Sequence, residues 1–153
     1  MVLSKTTMMR PTDVNRHWFV VDASRYPLGR LASRVAEVLM GKHRPTFTPH
    51  IDTGDFVIIT NAEKIALSGS KLANKEYQTY SMYPGGQRTI AISRWLDEKP
   101  EHVVRLAVRR MLPKSKLGRA MIKKLKVVKG TEHPHAAQRP EELIINKETN
   151  KPY

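Results

Sequence analysis

A basic segment spans residues 102–131 and carries ten lysine or arginine residues but no aspartate or glutamate. The whole chain has a formal net charge of +13, so about a fifth of its length supplies most of the excess. Its cations are Arg105, Arg109, Arg110, Lys114, Lys116, Arg119, Lys123, Lys124, Lys126 and Lys129. Charge this concentrated repels itself unless a polyanion neutralises it. The segment therefore has the composition of a nucleic-acid-binding surface.

The same segment contains no Phe, Trp or Tyr. Proteins that hold single strands usually offer aromatic rings on which bases stack. We therefore expect phosphate contacts instead of base stacking, which suits a duplex or a packed RNA surface. A solvated charge run or a disordered tail is the alternative, but the Val, Leu, Met and Ile residues between the charges favour folded structure.

Patterns for catalysis or metal binding are weak. The pair in His133–His135 is two residues apart, but no third ligand is indicated and the chain has no cysteine. Gly69–Lys71 resembles the end of a phosphate-binding loop without the earlier glycine that the motif needs. Asp52, Asp55 and Glu63 could hold a metal ion in an RNA-processing enzyme, but they lie at a boundary between loop and strand where capping is commoner. The sequence predicts no enzyme, metal ion, cofactor or small-molecule substrate.

Length and composition indicate one domain. The chain has 153 residues, 40% of them hydrophobic, which suffices for one core. No apolar run approaches the ~20 residues of a membrane-spanning helix, and no secretory signal is predicted. The lack of cysteine excludes disulfides and slightly favours the cytosol. Residues 1–14 are interpreted as a short N-terminal arm.

A β-α-β unit is predicted in the first third of the chain. Residues His17–Asp22 and Asp55–Thr60 have the apolar, β-branched composition of buried strands. Between them, apolar residues recur with helical spacing over Leu28–Leu39, and Gly41 follows as a helix stop. Nearly continuous apolar strands around a helix predict parallel pairing, with both faces of the sheet covered.

The connection from Gly41 to Asp55 is long for a compact domain, and such loops are often functional. It holds the basic residues Lys42, His43, Arg44 and His50. Two interpretations stay equally open. The loop is either a rigid basic surface that contacts phosphate or a packed crossover.

The middle of the chain shows shorter patterns. Lys64–Ser68 predicts a short strand, and Glu76–Tyr83 predicts either a strand or an extended loop. Pro84–Gly86 is a turn signal, and Ile90–Asp97 predicts a short helix.

The basic segment is predicted to form two amphipathic helices. The first begins at Pro100, ends before Pro113 and has an apolar stripe of Val103, Val104, Ala107, Val108 and Met111. The second has an apolar face of Leu117, Met121, Ile122 and Leu125, opposite an aligned row of Arg119, Lys123 and Lys126. Beyond it, 126–129 is interpreted as an edge strand, and 143–145 as an apolar patch that docks on the domain.

Several motifs then carry a family resemblance in one order and spacing. They are Leu28–Ala32, Gly41–His43, Thr48–Asp55, Ala107–Val128 and Glu132–Gln138. Within the fourth motif, Met111–Pro113 and Leu117–Met121 are the most specific. The chain thereby resembles the bacterial form of the large-subunit ribosomal protein thirteen family over about residues 15–140. Arg110 departs from the pattern, because the family usually has a small residue or Lys there, and the segment 82–84 departs as well.

The resemblance implies a single three-layer α/β/α domain with a small, mostly parallel mixed sheet and basic helices and loops. It implies a non-catalytic structural constituent of the large ribosomal subunit that binds large-subunit rRNA and supports early assembly. Neighbouring ribosomal proteins would be partners, and messenger RNA is an alternative partner that the sequence does not separate from rRNA. The location would be the cytoplasmic ribosome. The chain would divide into an arm (1–14), an rRNA-binding domain (15–140) and a C-terminal tail (141–153).

The residues predicted to bind rRNA lie in the basic segment and in four places outside it. They are Arg30, Arg34, Lys42, His43, Arg44, His50, Lys71, Arg105, Arg109, Arg110, Lys114, Lys116, Arg119, Lys123, Lys124, Lys126, Lys129, His133 and His135. Gly41, Pro113 and Gly118 are predicted to have structural roles.

Overall fold

Four parallel strands form the main sheet in the computed structural model, which describes residues 8–145. The strands are β1 (Trp18–Asp22), β2 (Phe56–Thr60), β5 (Leu125–Val127) and β6 (Glu141–Glu142), in the order β5-β2-β1-β6. The predicted parallel β-α-β unit is confirmed, because β1 pairs with β2 in register from Trp18 opposite Phe56 to Asp22 opposite Thr60. The chain is of the predicted α/β class, with a mostly parallel sheet.

Helix α1 (Leu28–Met40) connects β1 to β2 and supplies much of the core. Leu31, Val35 and Leu39 recur on one side of the helix and are fully buried. The helix ends at Gly41 as predicted, where a φ of +83° puts the backbone in the left-handed region that glycine tolerates.

Both faces of the central strand are covered. Consecutive residues of a strand point to opposite faces, and Val57, Ile58 and Ile59 of β2 are all fully buried. Burial on both faces explains why the residues of β2 are nearly all apolar, and it confirms the prediction that both faces of the sheet are covered.

Helix α4 (Pro100–Met111) packs against α1 and starts at the predicted proline. Val103, Val104 and Val108 are buried as predicted, but Met111 is 43% exposed and its assignment to the apolar stripe was wrong. The helix ends at Met111, and the extended backbone of Leu112 brings that side chain into the core instead.

A hairpin separates the two halves of the chain. Strands β3 (Glu76–Tyr80) and β4 (Gln87–Ala91) pair antiparallel around a turn at Gly85, and α3 (Ile92–Glu98) follows. The strand interpretation of Glu76–Tyr83 is therefore the correct one for its first five residues. The predicted helix over Ile90–Asp97 begins two residues late, because β4 takes Ile90 and Ala91.

One predicted strand does not form. Residues Ala62–Lys64 make a single 3₁₀ turn, and within Lys64–Ser68 only Ala66 pairs, through an isolated bridge to Pro27. The short helix α2 (Lys71–Asn74) follows.

The second basic helix is shorter than predicted. Helix α5 (Lys116–Met121) passes through a 3₁₀ turn at Ile122–Lys124 into β5, which pairs with β2. Lys126 therefore lies on a strand, out of line with Arg119 and Lys123, because pairing with the sheet competes with helix extension. The predicted edge strand is confirmed, one residue earlier than expected.

The end of the described chain docks on the domain. Leu143 and Ile145 are buried, and the Ile145 N–H donates to the Tyr26 hydroxyl at 3.1 Å. Strand β6 pairs with β1 at the other edge of the sheet. No helix within residues 8–145 is long and apolar enough to cross a membrane.

Candidate nucleic-acid interface

A groove of about 450 Å³ lies between α4 and α5, and we call it the α4–α5 groove. Its lining combines four cations with an apolar floor: Leu106, Arg109, Arg110, Leu112, Pro113, Lys114, Gly118, Arg119 and Ile122. The fold thus brings together four of the predicted rRNA-binding residues from two helices and the elbow between them.

Three local features hold the two helices at this distance. Pro113 cannot continue α4, so the chain turns there. The Ser115 hydroxyl accepts the Gly118 N–H at 3.3 Å and caps α5. A Cβ atom at Gly118 would collide with the carbonyl oxygen of Pro113, so only glycine permits this close approach. Pro113 and Gly118, predicted to be structural, thus shape the wall of the groove.

The groove is electrostatically uncompensated. Arg109, Arg110, Lys114 and Arg119 are all exposed, and none pairs with a carboxylate within residues 8–145. Arg110 lies over the Tyr77 ring, 5.2 Å from its centroid. Such a cluster of exposed, unpaired cations attracts a polyanion.

Most other cations of the basic segment are also exposed. Arg105, Lys116, Lys123 and Lys129 make no ion pair with the part of the chain that the structure describes. Lys126 is half-buried on β5.

Lys124 is the exception, and its predicted role in phosphate binding does not fit the structure. The side chain is buried, and its ammonium group donates to the carbonyl oxygens of Leu39 (3.1 Å) and Gly54 (2.9 Å) and to the Asp52 carboxylate. Burial lowers the pKa of Lys124, and the Asp52 carboxylate offsets part of that shift. Lys124 joins the end of α1 to loop 42–55 and has no donor left for an external phosphate.

Loop 42–55 uses half of its predicted binding residues internally. Its centre is the Asp55 carboxylate, which is fully buried and accepts from His43 Nε2 (2.8 Å), Arg44 Nε (3.1 Å) and the His17 N–H (2.8 Å). Burial disfavours the charged form, but these hydrogen bonds and the Arg44 charge outweigh it, so the pKa of Asp55 lies below its ordinary value. The packed-crossover interpretation therefore describes His43 and Arg44. The remaining two, Lys42 and His50, are exposed.

The predicted cations outside these two regions are scattered. Arg30 is exposed, whereas Arg34 is largely buried and pairs with Glu37 at 2.7 Å. Lys71 is exposed and donates to the Ser68 hydroxyl at 2.9 Å.

The two histidines after the basic segment pack locally. Both are half-buried, and the His135 N–H donates to Nδ1 of His133 at 3.3 Å. The His135 ring lies 5.4 Å from the Trp18 ring. Within residues 8–145, no cluster of three or more His, Asp or Glu side chains could hold a metal ion.

Sequence reasoning missed the acidic partners. Asp52 and Asp55 were considered as metal ligands, but Asp52 pairs with Lys124, and Asp55 pairs with Arg44 and shares a hydrogen bond with His43. The available signal was two aspartates within a basic loop, where charge neutralisation is a common role.

Known proteins resemble this chain over most of its length. The sequence profile of the family described as ribosomal protein L13 matches residues 16–134. A "Large ribosomal subunit protein uL13" of Thermoanaerobacter sp. is 56% identical over 141 residues, which cover 92% of this chain and 99% of the relative.

Two further relatives carry the same name. The protein of Thermotoga maritima is 53% identical over 143 residues, covering 94% of this chain and 96% of the relative. That of Natranaerobius thermophilus is 57% identical over 136 residues, covering 89% and 95%. With a family match over most of its length and relatives above half identity, this chain belongs to the ribosomal protein L13 family, a family of ribosomal proteins and not of enzymes.

Proposed function

We propose that this protein is a non-catalytic structural constituent of the large ribosomal subunit and that it binds large-subunit rRNA through the α4–α5 groove. The observation that carries the proposal is a set of four exposed cations in one groove, none of which pairs with a carboxylate of residues 8–145. The relatives' name places those proteins in the large subunit, which makes its rRNA the polyanion to test.

The chemistry is phosphate neutralisation. Each phosphate that meets a cation releases condensed counterions, so affinity falls as salt rises. The A-form major groove is too deep and narrow for side chains to read, so specificity would come from the arrangement of several RNA segments in space. The rigid elbow between α4 and α5 suits this role, because it fixes the spacing of the cations before binding.

Other exposed cations extend the proposed surface. Those nearest in sequence are Arg105, Lys116, Lys123 and Lys129, while Arg30, Lys42, His50 and Lys71 come from other elements. Direct binding to rRNA would let the protein join the subunit early, without waiting for another protein. We assign this binding to residues 15–140 in a cytoplasmic ribosome.

The test removes two groove cations and measures binding to purified large-subunit rRNA at several salt concentrations. We expect Arg109→Gln with Arg119→Gln to weaken binding and to flatten the log–log salt slope by about 1.4 to 1.8, that is about 0.7 to 0.9 per lost contact. The matched control is Arg25→Gln with Arg94→Gln, which removes equal charge from exposed arginines already paired with carboxylates. Its slope should match that of the wild type.

An unchanged slope in the groove variant would remove the groove from the proposal. A sucrose gradient of cell lysate tests the wider claim, since the protein should migrate with the large subunit after a moderate salt wash. Migration at the top of the gradient at both low and high salt would contradict a ribosomal role. Tighter binding to a messenger RNA hairpin than to rRNA would favour the regulatory alternative.

A further inference from the structure

A second cavity, of about 210 Å³, lies beside the first turn of α1, and we call it the α1 cavity. Its walls are mainly apolar and include Leu28, Leu67, Ala107 and Met111. The hairpin contributes Tyr77 to the lining.

Three cations border the α1 cavity: Lys71, Lys75 and Arg110. None forms an ion pair with a carboxylate among the described residues. Lys75 and Arg110 both lie over the Tyr77 ring, 5.3 and 5.2 Å from its centroid, so two positive charges flank the same aromatic side chain. An apolar cavity with several cations at its border fits a ligand that is partly apolar and partly anionic.

Tyr77 adds an aromatic ring to the lining. The residue is 2% exposed, and its ring stacks on the Trp95 ring with the two centroids 5.0 Å apart. Aromatic side chains are the ones on which unpaired bases usually stack.

Gly29 provides an independent observation. This glycine lines the α1 cavity, lies in the first turn of α1 and has no positive φ. A Cβ atom there would meet no atom of residues 8–145 within 4 Å, so nothing in this part of the chain requires glycine. Glycine in a helix is up to ~1 kcal/mol less favourable than alanine. An external molecule close to the backbone would explain why the position lacks a side chain.

The backbone of the same turn offers further donors. The N–H groups of Gly29 and Arg30 make no hydrogen bond within the described chain, as is usual for the first turn of a helix. This end of the 13-residue helix is also the positive end of its dipole. Both properties favour an anionic group beside Gly29.

We propose that the α1 cavity binds one unstacked nucleotide of the rRNA, with its base between the apolar walls and its phosphate among Lys71, Lys75, Arg110 and the Gly29 N–H. At about 210 Å³ the cavity is smaller than the pockets for drug-sized ligands, which begin at about 300 Å³, so its volume suits a smaller group such as one base. Arg110 lines the α4–α5 groove as well, so an RNA strand that follows the groove reaches this cavity directly. This inference rests on the proposed function and adds the recognition of a base to it.

The test uses the full chain with ¹³C-labelled methionine methyl groups and adenosine 5′-monophosphate as the probe. The Met111 methyl reports on the α1 cavity, and the buried Met121 serves as an internal control. We expect the mononucleotide to shift the Met111 signal and leave Met121 unchanged, whereas ribose 5-phosphate and inorganic phosphate have little effect. Gly29→Leu fills the cavity and should abolish the response, while the smaller side chain of Gly29→Ala should weaken it.

Both variants suit a helix, so neither should impair folding. In binding to large-subunit rRNA, Gly29→Leu should lower affinity roughly five- to a hundredfold and flatten the log–log salt slope by no more than about 0.9, the share of one phosphate contact. A Met111 response equal for ribose 5-phosphate and the mononucleotide would overturn the base site, and so would a full response in Gly29→Leu. A stronger response to hexaglutamate would point to an acidic protein segment and also overturn it. Each result would leave groove-dependent rRNA binding standing, whereas loss of that binding in the wild type would contradict the proposed function itself.

Discussion

Loop 42–55 and the α4–α5 groove contain the same kinds of residues and use them in opposite ways. In the loop, His43 and Arg44 donate to the buried Asp55, and Asp52 accepts from Lys124. In the groove, Arg109 and its three neighbouring cations have no carboxylate partner within the described residues. The comparison teaches that basic residues mark a binding surface only where the fold leaves their charges uncompensated.

Desolvation explains the difference. A charge removed from water must be paired or hydrogen-bonded, because an isolated buried charge is strongly destabilising. The Arg44 and Lys124 side chains are largely withdrawn from water, and Asp55 and Asp52 match their charges. The groove cations remain hydrated, so they stay available for phosphate.

Of the substitutions considered, the one at Asp55 should change the stability of the fold most. Asp55→Asn leaves the Arg44 charge without its carboxylate and removes the charged acceptor of the His43 ring, so we expect a loss of about 3 kcal/mol in the free energy of unfolding. Urea denaturation at neutral pH measures it. The control is Asp97→Asn on the exposed side of α3, which should stay within about 0.5 kcal/mol of the wild type.

The difference in stability between the wild type and Asp55→Asn should depend on pH. Because the pKa of Asp55 lies below its ordinary 3.8, its stabilising contribution is complete above that value and declines as the pH falls through the lowered pKa. The stability difference between wild type and Asp55→Asn should therefore persist at neutral pH and shrink below about pH 4. A difference that stays constant into acid would show that the Asp55 charge does not hold the loop.

A smaller effect is expected for Lys124. Lys124→Met leaves the carbonyls of Leu39 and Gly54 without their donor, which should destabilise the fold by about 2 kcal/mol. The neighbouring, exposed Lys123→Met provides the control and should change stability by less than about 0.5 kcal/mol. Equal effects at the two positions would contradict the internal role of Lys124.

The difference in stability between the wild type and Lys124→Met should also change at alkaline pH. Because the pKa of Lys124 is lowered from 10.5, the unfolded state binds more protons than the folded state just below that pH. The wild type should therefore gain stability relative to Lys124→Met as the pH rises toward 10.5. Urea midpoints of both proteins across this range are the measurement, and a falling difference would reverse the sign of the argument.

The smallest expected effect on stability belongs to the groove. Arg109→Gln with Arg119→Gln removes charges that pair with no carboxylate in the described part of the chain and that repel each other, so the free energy of unfolding should change by less than about 0.5 kcal/mol or rise slightly. The same variant is the one expected to lose rRNA affinity. A large loss of stability here would erase the contrast between the two regions.

The fold was predictable where local pattern and packing agree. Strands β1 and β2 and helix α1 follow from apolar periodicity and the stop at Gly41. The strand at Lys64–Ser68 failed because Ala66 finds only one bridging partner. The second basic helix was overextended because pairing of β5 with β2, a contact distant in sequence, outweighs helical periodicity.

The sequence predicted which segment carries the binding cations, but it did not predict which of those cations are exposed. Lys123 and Lys124 are adjacent and chemically identical, yet one is exposed and the other is buried against Asp52. The α1 cavity was beyond sequence reasoning, because it is assembled from α1, the hairpin and α4. The base site that we infer there adds to the phosphate contacts expected from the aromatic-free segment.

The amino-acid sequence by itself determined the class of fold, the excess of positive charge and the family, because these depend on composition, periodicity and local motifs. Only the tertiary structure decided which cations are free. Whether a lysine or arginine faces water or an aspartate depends on residues distant in the chain, as with Lys124 and Asp52, and the cost of desolvation then selects its role.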